Sequence, residues 1–273
     1  GGSAVAVVTG DVDVAIGTDQ AGSLRTPAAW SGCVGFKPTH GLVSYSGAVP
    51  IGYTFDHVGP LAESAADCAL VLDAVAGPDP TDPRQDARAA EQSVEYAATV
   101  AGSDGVEDLT VGVLEEGFGS AFADGGVDEA VREAAGVFAD LGATVEDVSV
   151  PWHEDGLFVW LAVETEAAAL LWETEGTGYF RRGRYDADLA SSFAARRRSR
   201  ASEFAPTVKL KLVMGRYARE QFHGRFHRKA QNLRADLTAA YDEALADVDL
   251  LAMPTTPMTA FEREADLSRR DLV

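Results

Sequence analysis

Lysine is scarce in this chain. Four lysines, at Lys37, Lys209, Lys211 and Lys229, stand against 19 arginines. Cysteine is scarcer still, with two residues. Cys33 and Cys68 have no metal-ligand spacing, and so few cysteines exclude a disulfide scaffold. They read as small core residues of a reducing cytosol. No apolar run reaches the roughly 18 residues that a membrane-spanning helix needs. The stretch 157–172 comes nearest, and Glu164 and Glu166 interrupt it. No secretory leader is visible, which excludes nothing in a chain that does not begin with Met. Internal repeats and low-complexity tracts are absent. Residues 17–23 lack the Gly-Lys-Ser/Thr ending of a phosphate-cradling loop, which removes a nucleotide-binding reading.

What is present is a globular chain. Its 273 residues, 46% of them hydrophobic, can bury a large core as one big domain or two. The net charge is −20, from 43 acidic and 23 basic residues. An acidic, lysine-poor composition suggests a protein that works in high salt, where screening relieves self-repulsion. An ordinary acidic cytosolic protein is the alternative, and lower stability in molar KCl than in dilute buffer would favour it. The charge is uneven: residues 181–234 carry +11 and the remainder −31. Arg181-Arg182, Arg196-Arg197-Arg198 and Arg228-Lys229 are the densest points. This segment is either an RNA-facing patch or a helical layer facing acidic parts of the same fold. The lack of interleaved aromatics and the total charge favour the second, so no nucleic acid is expected as a partner.

The most informative stretch is Gly17-Thr18-Asp19-Gln20-Ala21-Gly22-Ser23-Leu24-Arg25-Thr26-Pro27. An alternating, strand-like run, residues 12–16, feeds a small-residue loop that ends on a hydroxyl. Small residues let successive backbone N–H groups turn inward as a donor nest. A nest beside a serine is what acyl transfer needs: a nucleophile, and fixed donors for the developing oxyanion. An ordinary Gly-containing turn is the plain alternative for this loop taken alone.

The wider sequence adds Gly1-Gly2-Ser3, Gly35-Phe36-Lys37-Pro38-Thr39-His40-Gly41 and Asp56-His57-Val58-Gly59-Pro60-Leu61, in that order around the loop. With them the chain resembles the amidase signature family, most specifically over residues 1–77. The resemblance continues more weakly through Asp82-Pro83-Arg84, residues 111–119 and Pro151-Trp152-His153. It returns at Asp249-Leu250-Leu251-Ala252-Met253-Pro254-Thr255-Thr256-Pro257. It looks closer to bacterial-type amidases of small organic amides than to the glutaminase subunit of tRNA-dependent amidotransferases.

The resemblance implies an α/β fold with a mixed sheet core surrounded by helices, incomplete at both ends. It implies that Ser23 is the nucleophile. The backbone N–H groups of Gln20, Ala21, Gly22 and Ser23 would form the oxyanion hole, with Thr18, Asp19 and Arg25 in support. It implies hydrolysis of a small-molecule carboxylic amide to acid and ammonia in the cytoplasm, with no cofactor, metal or membrane. A homodimer stays open. A glutaminase subunit and a non-catalytic fragment are the alternatives.

The family's chemistry also uses a bridging serine and a lysine upstream of Gly1, and these 273 residues contain neither. A serine hydroxyl is a poor nucleophile until a base takes its proton. The expectation is therefore a piece of a longer protein that is inactive alone. Lys37 matches a non-catalytic family position. Ala21 stands where the family has the first glycine of Gly-Gly-Ser. If that position needs a positive φ the methyl strains the loop, and otherwise the change is mild.

Along the chain the expected order is a signature core (1–77), a Pro-rich linker and connection (78–108), and a strand–helix–strand part (109–153). A helical region near the substrate entrance (154–246) and a returning strand with its Pro-Thr-Thr-Pro loop (247–273) follow. Residues 3–9 and 64–76 read as helices. Strands at 109–114 and 144–150 flank a helix with Val127, Val131, Ala134, Phe138 and Leu141 in register, which suggests parallel pairing. The region 154–246 is mostly helical, with a long amphipathic run from about Pro206 to Ala246. On it His223 and His227 have metal-ligand spacing but no third ligand. A triad of Ser23, His57 and Asp56 is a further, disfavoured arrangement. Tyr45-Ser46-Gly47 reads as a turn bordering the pocket.

Overall fold

A computed structural model describes residues 1–85, 95–103, 105–176, 178–179 and 183–261. Residues 86–94 and 104 of the expected connection, the Arg181-Arg182 pair, and residues 262–273 lie outside the described residues. The chain forms two compact units. One comprises Gly1–Ala101 and Ala162–Arg228; the other comprises Gly102–Leu161 with the chain from Lys229.

The first unit opens with helix α1 (Gly2–Val8), strand β1 (Val14–Asp19), helix α2 (Arg25–Ser31) and strand β2 (Val34–Gly35). Gly10, in left-handed backbone, turns the chain after α1. Strand β3 (His57–Ala62) then runs antiparallel between β1 and β2, giving the order β1-β3-β2. The alternating run expected at residues 12–16 pairs only from Val14, and the strand extends to Asp19, which faces His57.

Helix α3 (Ala65–Val75) begins where Ser64 accepts the Asp67 N–H at 3.1 Å and donates its own hydroxyl to the Asp67 carboxylate at 2.6 Å. Helix α4 (Tyr96–Ala101) follows. Its first two N–H groups are taken up by the Asp73 carboxylate. The core beneath the sheet is built from Ala4, Val7, Leu24, Ala28 and Leu61. Burying a side chain such as Leu24 contributes about 1.5–3 kcal/mol. Leu24 thus anchors the loop that presents its neighbour, Ser23.

The second unit carries strands β4 (Thr110–Leu114) and β5 (Thr144–Val148), joined through helix α5 (Gly125–Asp140). The strands pair in parallel from Thr110↔Thr144 to Leu114↔Val148, as the strand–helix–strand pattern predicts. Strand β6 (Leu250–Ala252) adds in parallel on the other side of β4. A Cβ at Gly112, in the middle strand, would stand 2.7 Å from a Val148 methyl. A larger residue there would force the sheet away from its neighbours.

Helices α6 (His153–Glu173), α7 (Ala187–Ser199), α8 (Pro206–Phe222) and α9 (Arg225–Ala244) complete the fold. The long amphipathic run expected from about Pro206 to Ala246 forms two helices, α8 and α9. His223 and Gly224 both adopt left-handed backbone, with φ of 56° and 72°, and end α8. His223 and His227 therefore do not share one helical face. His227 Nδ1 lies 3.1 Å from the Val163 carbonyl, and no cluster of metal-ligating side chains forms among the described residues. No helix among them is long and apolar enough to cross a membrane. Glu164 and Glu166, which interrupt the apolar run, are buried; Glu164 pairs with Lys211 at 2.7 Å.

Candidate active site

Strand β1 delivers the chain to Asp19, and α2 begins at Arg25. The five residues between them form a loop organised by one carboxylate. Asp19 is 1% exposed. Its Oδ1 accepts the Gly22 N–H at 2.7 Å and its Oδ2 accepts the Leu24 N–H at 3.2 Å. Arg25 closes the arrangement with two parallel hydrogen bonds, Nε to Oδ2 at 3.0 Å and NH2 to Oδ1 at 3.1 Å. Burial alone would raise the Asp19 carboxyl. The Arg25 bond and charge and the Gly22 and Leu24 N–H groups outweigh it and hold the group below its usual range.

Ser23 is exposed, between buried Gly22 and fully buried Leu24. The N–H groups of Ala21 and Ser23 make no hydrogen bond among the described residues. The Gly22 N–H is different: it is already given to Asp19. This revises the four-donor oxyanion hole expected from the sequence, because a donor aimed at a buried carboxylate is not open to a second anion. Gly22 instead supplies conformation. Its φ is +100°, and a Cβ there would stand 2.7 Å from Thr26 Oγ1. Ala21 has no positive φ, so the replacement of glycine at that position is mild.

The other candidate bases are committed elsewhere. His57 Nδ1 lies 2.8 Å from the Phe55 carbonyl, and its Nε2 lies 3.3 Å from Lys37 Nζ. A ring that donates from Nδ1 and accepts at Nε2 is a neutral imidazole. Burial, reinforced by the Lys37 charge, pushes His57 down to about 4. Asp56 is also buried, and its Oδ1 accepts the Ile51 and Gly52 N–H groups at 3.2 and 3.0 Å. A Ser23–His57–Asp56 triad is therefore not formed. Lys37 is held low chiefly by burial, with the Arg25 charge adding to it; its Nζ contacts His57 and the Pro38 carbonyl.

Two supporting features escape a reading of the sequence. Gln20 Nε2 donates to the Tyr45 hydroxyl at 2.8 Å, which ties the serine loop to the 44–53 segment. The Asp82-Pro83-Arg84 segment, expected to open a linker, is instead packed into this unit. Asp82 Oδ2 accepts the Tyr45 N–H at 2.6 Å and Asp82 Oδ1 meets Arg84 at 2.9 Å. The Arg84 guanidinium lies over the rings of Tyr45 and Tyr53, 4.4 and 4.8 Å from their centroids. The only local signal was the Asp-Pro-Arg motif itself.

The basic helices face carboxylates of their own unit. Arg197 and Arg198 share Glu175 at 2.8 and 3.2 Å, and Arg219 meets Glu173. Glu175 itself has a φ of 60°, an uncommon conformation outside glycine, just past the end of α6.

The family described as Amidase matches residues 1–271. An enantioselective amidase of Rhodococcus rhodochrous is 42% identical over 95% of this chain and 49% of its own length. A glutamyl-tRNA(Gln) amidotransferase subunit of Natronomonas pharaonis is 38% identical over 98% of this chain and 62% of its own. The chain thus spans about half to three fifths of these curated relatives. Among solved structures, the corresponding amidotransferase subunit of Thermotoga maritima has a TM-score of 0.72 at 28% identity, covering 96% of this chain and 50% of that one. The peptide amidase of Stenotrophomonas maltophilia has a TM-score of 0.67 at 28% identity, covering 93% and 53%.

Proposed function

The chain belongs to the amidase family, and from that premise we propose that Ser23 is the nucleophile of a carboxamide hydrolase. The observation that carries this reading is the exposed Ser23 beside the unbonded N–H groups of Ala21 and Ser23, in a loop fixed by buried Asp19. Ser23 Oγ adds to the amide carbonyl carbon. The Ala21 and Ser23 N–H groups, with the Gln20 backbone, meet the oxyanion that forms. Collapse of that intermediate, with the proton given up by Ser23 Oγ delivered to the leaving nitrogen, expels ammonia and leaves an acyl ester on Ser23, which water cleaves to the carboxylic acid and the free Ser23 hydroxyl. Asp19 stays ionised throughout and acts on geometry rather than on protons. The substrate is a small amide and the compartment the cytoplasm.

These 273 residues hold no position matching the family's lysine and bridging serine. We infer that they leave Ser23 without a base. A chimera tests both statements: the Rhodococcus relative's lysine- and serine-bearing segment is joined ahead of Gly1. The 273-residue chain should not hydrolyse benzamide detectably. The chimera should, and Ser23→Ala should remove about 1,000-fold or more of its rate. A chimera whose rate survives Ser23→Ala would overturn the assignment.

A second reading, a glutaminase subunit that supplies ammonia to a partner, is supported by the amidotransferase relatives. Under it the chimera prefers glutamine and gains rate from partner subunits.

A further inference from the structure

A cavity of about 370 Å³ opens in the first unit where α7 ends and a short 3₁₀ turn (Ala201–Glu203) leads towards α8. It is lined by Phe193, Arg196, Arg197, Arg200, Glu203 and Phe204, and by no residue of the serine loop. Phe193, Arg196 and Arg200 follow one another at helical spacing, so they share one face of α7 and its end. Phe204 returns to the same place from the far side of the turn. Both phenylalanines pack edge-to-face on Trp172 of α6, with ring centroids 5.4 and 5.0 Å apart. The three rings are half-buried, so part of their surface stays open.

Most of the basic groups here are engaged. Arg197 gives Nε and NH2 to Glu175 at 3.1 and 2.8 Å, and Arg198 reaches the same carboxylate at 3.2 Å. Arg200 Nε meets Glu203 at 2.8 Å, Arg219 meets Glu173, and Lys209 donates to the Ser202 carbonyl at 2.7 Å. Arg196 is the exception. It is exposed, lines the cavity and has no side-chain partner among the described residues. Arg200 is also open, with a side chain 60% exposed. Arginines 196, 197, 198, 200 and 219 thus face Glu173, Glu175 and Glu203, which leaves a positive surplus before Lys209 is counted. The C-terminal end of α7 offsets about half of one charge. Complementing that helix end is the plain role of arginines in a last turn. It accounts for the charge and not for an aromatic-walled cavity beside an unpaired guanidinium.

A guanidinium presents a flat fork of donors to carboxylate or phosphate oxygens. A carboxylate brings one charge. A phosphomonoester brings about −1.5 to −2 at neutral pH and three acceptor oxygens, which matches the surplus and spans two guanidinium groups. Phe193 and Phe204 offer ring surface to a planar group attached to it.

We propose that this cavity binds a phosphomonoester carried on a planar ring, as in a nucleoside monophosphate or an aryl phosphate. The phosphate sits on Arg196 and the remaining donors of Arg200, and the ring lies against Phe193 and Phe204. The proposal does not require Ser23 to be catalytic.

Equilibrium dialysis of the 273-residue chain tests it, at the lowest KCl concentration that keeps the chain folded by circular dichroism. AMP and phenyl phosphate should both bind one to one, and the tighter of them names the ring that the walls prefer. Adenosine, benzoate and inorganic phosphate should bind at least about fivefold more weakly, since each lacks the ring or the full charge. Arg196→Gln, which breaks no ion pair, should weaken AMP and phenyl phosphate by about tenfold. Arg216→Gln removes an equal charge from the same basic segment outside the cavity, and should change binding by less than about twofold. Phe204→Leu should cost the two ring-bearing ligands more than it costs inorganic phosphate. Ser23→Ala should leave binding unchanged. Equal losses from Arg196→Gln and Arg216→Gln, inorganic phosphate as tight as AMP, or no saturable binding would each overturn the proposal. Tighter binding of a short RNA without terminal phosphates would overturn it in favour of a polyanion-binding surface. These readouts involve no hydrolysis, so this assignment and that of Ser23 fail separately.

Discussion

The unit with the antiparallel sheet buries five carboxylates, at Asp19, Asp56, Asp82, Glu164 and Glu166, whereas among the described residues Thr256 is the buried polar side chain of the unit with the parallel sheet. The buried core of the second unit includes Val111, Val113, Leu114, Ala135 and Val150, and its directed carboxylate bonds, such as that of Glu116 to the Val150 N–H, come from partly or fully exposed side chains. Burying a carboxylate costs several kcal/mol and is tolerated only where donors surround it. The first unit supplies those donors three times over around the serine loop: Asp19 takes Gly22, Leu24 and Arg25, Asp56 takes Ile51 and Gly52, and Asp82 takes Tyr45 and Arg84. Apolar packing fixes where a sheet lies; directed hydrogen bonds fix which way a loop's amides point. The first unit uses both, and a site needs the second.

Paired substitutions break the comparison most sharply. Leu114→Ala, at a fully buried position, and Asp19→Ala should each lower the unfolding free energy in urea by about 3 kcal/mol. Their reach should differ. Asp19→Ala should also release the Gly22 and Leu24 amides to rapid hydrogen exchange, while Leu114→Ala leaves that pair as in the parent. If Leu114→Ala disturbs the loop amides as much as Asp19→Ala does, the division of labour between the units is wrong.

Acidification sharpens it with a smaller effect. His57, in the first unit, is held neutral at about 4 by burial. His153, in the second, is also held low by burial, while Glu116 and Glu154 pull it back. A histidine whose folded value lies below its unfolded value, near 6.5, loses stability as pH falls between the two, because the unfolded chain binds the proton first. For His57 this window runs from about 6.5 to 4 and is worth roughly 2–3 kcal/mol. His57→Gln should therefore flatten the fall in stability across that window more than His153→Gln does. The depressed Asp19 carboxyl contributes stability that is lost progressively from about pH 5 downward, so it touches only the acid end of this window.

Local pattern made much of this visible in advance. The loop from Gly17 to Pro27, the helix expected at 64–76 and the parallel β4–α5–β5 unit each depend on residues close in sequence, where spacing and periodicity act. The commitment of the Gly22 N–H to Asp19, three residues upstream, is a local turn whose carboxylate partner was in plain view. The contacts that escaped reading are distant ones. Gln20 meets Tyr45 across 25 positions, and Asp82 meets Tyr45 across 37. No period or motif records such pairings before the chain folds. The break at His223 escaped for another reason: its left-handed backbone falls on a non-glycine residue, one position before the glycine that marks the turn.

Amide hydrogen exchange across residues 21–24 tests the central claim most directly, because it reads each loop donor one at a time. The account predicts protection at Gly22 and Leu24, whose amides Asp19 holds, and near-unprotected exchange at Ala21 and Ser23, whose amides make no hydrogen bond among the described residues. Protection of Ala21 and Ser23 equal to that of their neighbours would contradict it, since the serine would then face a carbonyl with no donors behind it.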